Sequence, residues 1–403
     1  MNAIWETMVC GYYSYGVNGR RGLTLMFVSN PGESKTSQIK LFSKAAGIGC
    51  VPYEGAGLEP QDIIGLPRLK DDDFYFVPPR KFRELRDNPN GGLLFGDEFT
   101  RQSSSVMAAA LNLMLDGTTQ AIDLGWKVAR WAACNPAGQV GGIDLDPANA
   151  SRFIWVEWPE MSTRDFQTYL NTRDVTTGEG AVPPDFEPAR FERNLAEKWD
   201  LCASLASNYI GSFLVRNTTA FREPPPVEAR AWANPRTWDM ATRALAAVEC
   251  HFGANAWDRK IDLLAGAVGR GHADSFCTWL RTMDLPDPAD ILDGRAQYDI
   301  ASDARADRVH VILDSTLSVV EATLKATGKS DPTLEHSRIA AWCDLLTKAA
   351  SQKAARDVAA CSVARAMGVG SKFYEHKEFM RQVLALKDFV KVIGAVAQGY
   401  SSK

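Results

Sequence analysis

What this sequence lacks removes several classes of function at once. None of its eight cysteines pairs as Cys-x-x-Cys, and none has a histidine at metal-ligand spacing, so neither a structural zinc site nor a redox dithiol is indicated. The cysteines, at positions 10, 50, 134, 202, 250, 277, 343 and 361, read instead as buried thiols. Histidine is scarce: His251, His272, His310, His336 and His376 are scattered, and no catalytic dyad or metal is assigned to them. No apolar run is long enough to span a membrane, and the opening Met1-Asn2-Ala3-Ile4-Trp5-Glu6 has no basic stretch followed by an apolar one. A soluble, cytoplasmic protein with no membrane partner is expected. Positive charge is not in excess either: 45 Lys and Arg against 49 Asp and Glu give a net charge of −4, which disfavours nucleic acid as a partner.

What is present is a chain of 403 residues, 45% hydrophobic and 23% charged, enough for a large core and two or three domains. Up to about residue 222 short apolar strands alternate with amphipathic helices, the pattern of an α/β layer structure with a mainly parallel sheet. Strands are expected at Leu23–Val28, in the run beginning at Gly91, at Lys127–Cys134 and at Phe153–Trp158. A helix after residue 36 carries Ile39, Phe42, Ala45 and Ala46 on one face and stops at Gly47; another, Ser103–Leu115, stops at Gly117. Asp174–Pro188, rich in Gly, Pro, Thr and acid, is expected as an exposed loop, and Pro224-Pro225-Pro226 as a hinge. Beyond the hinge the pattern is helical, at Thr237–Val248, Ser337–Met367 and Lys377–Val396. The expected domains are therefore 1–222, an α/β core; 227–330, a helical lid; and 331–403, a C-terminal helical extension.

Two motifs carry chemistry. After the first strand comes Ser29-Asn30-Pro31-Gly32-Glu33-Ser34-Lys35-Thr36, the outline of a phosphate-binding loop G-x-x-x-x-G-K-[ST] with serine in both glycine positions. Lys35 can reach outer phosphates, Thr36 can offer its hydroxyl to Mg2+, and the helix beyond presents backbone N–H groups to an anion. Serine takes positive φ less readily than glycine, so backbone freedom is what the substitutions threaten. The second motif, Gly91-Gly92-Leu93-Leu94-Phe95-Gly96-Asp97-Glu98, is a short strand ending in two carboxylates. The first suits magnesium and the second the activation of water, on a strand able to neighbour the first in a parallel sheet.

From about Gly16 to Pro288 the order of motifs resembles the MoxR-like family of AAA+ ATPases. The likeness rests on the loop, on Gln61-Asp62-Ile63-Ile64-Gly65, on Asp97-Glu98-Phe99-Thr100-Arg101 for D-E-x-x-R, and on Leu113-Met114-Leu115-Asp116-Gly117 for L-M-x-x-G. It continues with Ala133-Cys134-Asn135-Pro136, Ala150-Ser151-Arg152-Phe153 in the place of D-R-F, Asn234-Pro235-Arg236 for S-P-R, and Leu285-Pro286-Asp287-Pro288. The resemblance implies a three-layer P-loop AAA+ core with a parallel sheet, followed by an all-α lid and C-terminal helices. It implies ATP and Mg2+ as ligands, Glu98 as the base, Asn135 as sensor 1, Arg152 as an arginine finger given to the next subunit, and Arg236 as sensor 2 touching the γ-phosphate. Arg101 is left between a subunit boundary and a surface salt bridge.

The same resemblance implies a homo-oligomeric, hexameric ring that remodels a client, and a partner bearing a von Willebrand A type domain. Because Ser29 and Ser34 depart from the family loop, slow turnover is expected. Two other readings stand beside this one: a nucleotide-gated scaffold that does not hydrolyse, and a GTP-using motor that acts on DNA, which the acidic pI of 5.8 disfavours.

Overall fold

The apolar runs pair into a parallel sheet in the computed structural model, which describes residues 1–55, 57–70, 73–136, 145–172, 181–226, 230–325, 332–352 and 355–368. Helix α1 (Ala3–Tyr12) precedes strand β1 (Leu25–Val28), and α2 (Lys35–Ala46) leads to β2 (Gly49–Glu54). After the short α3 (Gln61–Ile64) a separate antiparallel hairpin forms from β3 (Leu66–Lys70) and β4 (Asp73–Val77). Helix α4 (Arg80–Arg86), β5 (Gly92–Asp97), α5 (Ser104–Asp116), β6 (Val128–Cys134), α6 (Pro147–Ala150) and β7 (Ile154–Glu157) complete the sheet layer. The strand order is β2-β5-β6-β1-β7, with every neighbouring pair parallel. The strands bearing the two motifs are thus not neighbours; β6, the strand that leads into Asn135, lies between them.

Strands this apolar need cover on both faces, and they have it. In β1, Met26 and Val28 join a core with Val106, Ala110 and Met114 of α5. On the opposite face Phe27 packs edge-on to Trp131, and Phe42 of α2 stands 5.5 Å from Trp131 and 5.7 Å from Trp5 of α1. This gives the three-layer α/β architecture that the sequence implied. Helix α1 went unpredicted although its residues Trp5, Met8, Val9 and Tyr12 are all buried; a ten-residue stretch that is buried nearly all round lacks the polar face on which a periodicity argument depends.

Later helices are α7 (Thr163–Thr172), α8 (Pro188–Arg216), α9 (Pro235–Phe252), α10 (Trp257–Val268), α11 (Arg270–Met283), α12 (Pro288–Leu292), α13 (Ala306–Lys325), α14 (Pro332–Ser351) and α15 (Arg356–Gly368). The 29-residue α8 lies before the proline hinge, where strand and helix had been expected to alternate. The alanine-rich stretch is helical as expected, in two helices, α14 and α15. The expected helix at Lys377–Val396 and residues 174–180 of the expected loop lie outside the described residues; residues 181–187 form no helix or strand, and Pro188 already belongs to α8.

Contacts divide the chain into two units. Met1–Trp199 and Thr219–Cys277 form one, and Asp200–Thr218 with the chain from Thr278 forms the other. Helices expected in a lid at 227–330 are therefore shared out: α9 and α10 belong with the sheet. Gly266 of α10 explains how closely, since a Cβ there would stand 2.0 Å from the Trp155 carbonyl oxygen of β7. In the second unit Leu313, Leu317, Trp342 and Leu346 form an apolar core. Beside it Arg365 donates to Asn208 Oδ1 (2.8 Å), Ser318 Oγ (2.9 Å) and Ser204 Oγ (3.1 Å), with the Asp314 and Glu321 carboxylates at 3.5 and 3.7 Å, so this cation is both hydrogen-bonded and ion-paired.

One buried histidine makes the sheet unit sensitive to acid. His251 of α9 packs edge-on to Phe191, and its Nε2–H donates to the Tyr13 carbonyl, leaving the buried Nδ1 without a partner. Burial holds its pKa down, at about 4. The folded state thus keeps His251 neutral while the unfolded chain takes up a proton below about pH 6.5, so stability is full above that pH and is lost as pH falls toward 4. The maximum loss is on the order of 3 kcal/mol. Urea midpoints for the native protein and His251→Leu should converge between pH 7.5 and 4.5; parallel curves would show that His251 does not titrate in this way.

Candidate nucleotide site

All strands of the sheet run the same way, so the residues that follow β1, β6 and β5 emerge at one edge. There the loop residues Pro31 to Thr36, Asp97, Glu98 and Asn135 line a common cavity of about 420 Å³. Residues separated by up to a hundred positions in sequence are brought together by strand order alone. Sequence reasoning missed Glu54, which also lines the cavity; it ends β2 and lies opposite Asp97 in register, a pairing visible only in the sheet.

The loop solves its missing glycines in two ways. Ser34, the N-cap of α2, adopts the left-handed conformation a glycine would take, with φ 58° and ψ 19°, and makes no side-chain capping bond. For serine this costs about 1–2 kcal/mol. Ser29 sits at ordinary negative φ, and its hydroxyl has a use of its own: it accepts from Lys35 Nζ at 2.7 Å and donates to the Asn30 carbonyl at 3.0 Å. Lys35 Nζ donates also to the Ser29 carbonyl at 3.1 Å and the Asn30 carbonyl at 3.3 Å. Burial pushes the Lys35 ammonium below its ordinary pKa, against the opposing pull of Asp97.

Next to the loop the Thr36 hydroxyl donates to Asp97 Oδ2, and Asp97 Oδ1 accepts from the Glu98 backbone N–H at 3.0 Å. Two hard oxygen ligands in contact at the mouth of a cavity suit magnesium, which binds few protein oxygens and keeps its other places for water and phosphate. The residues fit the ion. Glu98 itself stands at φ 48° and ψ 41°, a second left-handed non-glycine. Both its carboxylate oxygens accept from Arg101 Nη1 at 2.8 Å, so of the two roles left for Arg101 the salt bridge is the one seen within the chain.

Arg152 and Arg236 are elsewhere. They line a second cavity of about 420 Å³ together with Thr24 and Ile154, the residues at the beginning of β1 and β7, and with Arg243, which the sequence reading did not single out. This is the opposite edge of the sheet from Lys35, the four residues of β1 alone spanning about 13 Å. Arg236 Nη1 donates to Ser151 Oγ at 2.9 Å and the Ala148 carbonyl at 3.3 Å. Arg236 does not line the cavity at the phosphate loop, where the expected contact with a γ-phosphate would place it. The cause lies in α9, which starts beside α6 at the head of β7 rather than over the loop. Arg152 Nε is buried without a hydrogen-bond partner, whereas Arg243 is committed to Asp239 and to the Gly16 carbonyl.

A strand, a phosphate-type loop and a helix at the C-terminal edge of a parallel sheet, with acid residues on a second strand, define the class. This is a three-layer α/β core built on a five-stranded parallel sheet. No family model and no curated protein matches the sequence. Among solved structures the chain is similar to a protein from Cytophaga hutchinsonii described as a "putative ATPase", at 14% identity and a TM-score of 0.44, over 68% of this chain and 88% of that one. So distant a likeness adds nothing to the site.

Strain at Ser34 gives a directional prediction. Ser34→Gly should leave stability unchanged or raise it by up to ~1 kcal/mol, glycine's greater unfolded-state freedom offsetting part of the relief. Ser34→Val, branched at Cβ, should cost at least ~2 kcal/mol. Thermal unfolding of the two variants checks the order; a valine variant as stable as the glycine one would mean that residue 34 does not hold the left-handed turn.

Proposed function

We propose that this chain is an AAA+ type ATPase that binds Mg-ATP at the loop cavity, hydrolyses it slowly and works as a homo-oligomer. One observation carries the reading: the acid and amide groups needed at a γ-phosphate surround the loop at one edge of the sheet, while Arg152 and Arg236 stand at the other. A single chain therefore supplies both halves of a phosphoryl-transfer site and cannot join them, whereas a second copy can.

Each side chain then has a role. Lys35 turns its ammonium from Ser29 to the β- and γ-phosphates, and Thr36 and Asp97 would hold a magnesium ion, which when bound would neutralise developing phosphate charge. Asn135 positions water. Glu98, once released by Arg101, takes the proton as the water oxygen bonds to γ-phosphorus and the bond to the β,γ-bridging oxygen breaks, with ADP leaving. The neighbouring copy's arginines stabilise charge on the transferring group. The MoxR-like resemblance adds the finer proposals of a hexameric ring in the cytoplasm and a client with a von Willebrand A type domain.

A second reading, the nucleotide-gated scaffold, is favoured by the state of the site itself: Lys35 is held by Ser29, and Glu98 by Arg101. Turnover separates the two. If the chain is an ATPase, Glu98→Gln retains Mg-ATP affinity and loses at least ~100-fold in rate, and Arg152→Ala does the same. Specific activity should also rise with protein concentration as copies associate. Tight binding with no turnover, unaffected by either substitution, would favour the scaffold; activity linear in enzyme and indifferent to Arg152→Ala would remove the oligomer.

A further inference from the structure

We propose that Glu33 is a positioning residue that holds the loop in its open shape in place of the missing glycine at 34; the inference rests on the nucleotide reading of the cavity. Glu33 stands between the two left-handed residues of the loop, Gly32 at φ 91° and Ser34 at φ 58°. Ser34 has no side-chain capping bond to secure its own turn. Glu33 is instead tied from both its backbone and its side chain. Its carbonyl accepts from Trp158 Nε1 at 3.0 Å, and its Oε2 accepts from the Met161 backbone N–H at 2.6 Å.

Both donors belong to the segment that follows β7, and this segment is fixed to β1. The Trp158 backbone N–H donates to the Val28 carbonyl at 2.8 Å, and the indole packs edge-on against Phe27 at 5.4 Å. The strap therefore joins the middle of the loop to the rigid edge of the sheet. Its side-chain half is charge-assisted, the stronger kind of hydrogen bond. Turning Ser34 back to negative φ would swing residue 33 and break one or both ties. The same bond explains how a carboxylate is tolerated in a loop meant for phosphate: one of its oxygens is committed to Met161 instead of facing the anion.

The test is a double-mutant cycle on the full chain, read by calorimetry with Mg-ATP and by thermal unfolding without ligand, for Glu33→Ala, Glu33→Gln, Ser34→Gly and the combination. Glu33→Ala should weaken Mg-ATP by about tenfold or more and lower Tm by a few degrees, while Glu33→Gln, which keeps an acceptor oxygen, should stay within about threefold of the native protein. In the Ser34→Gly background, where the turn needs no holding, Glu33→Ala should cost less than about threefold. Equal losses in both backgrounds would overturn the proposal, as would a Glu33→Ala protein that binds as tightly as the native one or more tightly. If the native protein takes up neither Mg-ATP nor Mg-GTP, the nucleotide reading fails on its own account. The unfolding cycle then decides the strap alone: coupling between 33 and 34 supports it, and additive losses overturn it.

Discussion

Everything at the loop edge depends on the backbone of residue 34 turning left-handed where β1 gives way to α2. That turn starts the helix directly under the loop, so Lys35 and Thr36 face the cavity and the first free N–H groups of α2 lie toward the position of an anion. In serine the turn is strained, and the strain is borne by surroundings that are themselves immobile: a sheet buried on both faces, and a segment after β7 that is hydrogen-bonded to β1. Strained non-glycine residues persist where neighbouring structure over-determines them, and Glu98, at φ 48°, is a second case in the same cavity.

The two edges of the sheet differ in what they present. At one, an ammonium, a hydroxyl, carboxylates and an amide converge around a cavity. At the other, guanidinium groups line a separate cavity and one of them, Arg152, leaves its buried Nε without a partner. Parallel strands make this polarity unavoidable, because strand ends of one kind all lie on the same edge. The proposal of a site completed by a second copy of the chain rests on this polarity.

Much of the sheet unit was legible in the sequence. The runs at residues 25, 92, 128 and 154 were strong strand signals, and Gly47 and Gly117 stop the two helices where expected. Local chemistry was equally legible for Lys35, Thr36, Asp97, Glu98 and Asn135, which do share one cavity. Other features were not. Helix α1 is buried almost throughout and so shows no polar face; α8 is a single long helix where alternation was expected; and Arg236 follows its helix to the far edge of the sheet. Glu54 was missed because only register with β5 sets it beside Asp97.

The sequence by itself determined where most of the sheet's strands and several of its helices lie and which chemical groups are on hand, because hydrophobic periodicity, glycine stops and a charged loop act over a few residues. Tertiary structure decided which of those groups meet. That β6 lies between the two motif strands, that Arg152 and Arg236 are kept from Lys35, and that Glu33 is tied to Met161 are all consequences of strand order and of where α9 begins. Such facts depend on contacts between residues from about forty to more than a hundred positions apart, and no local pattern of side chains encodes them.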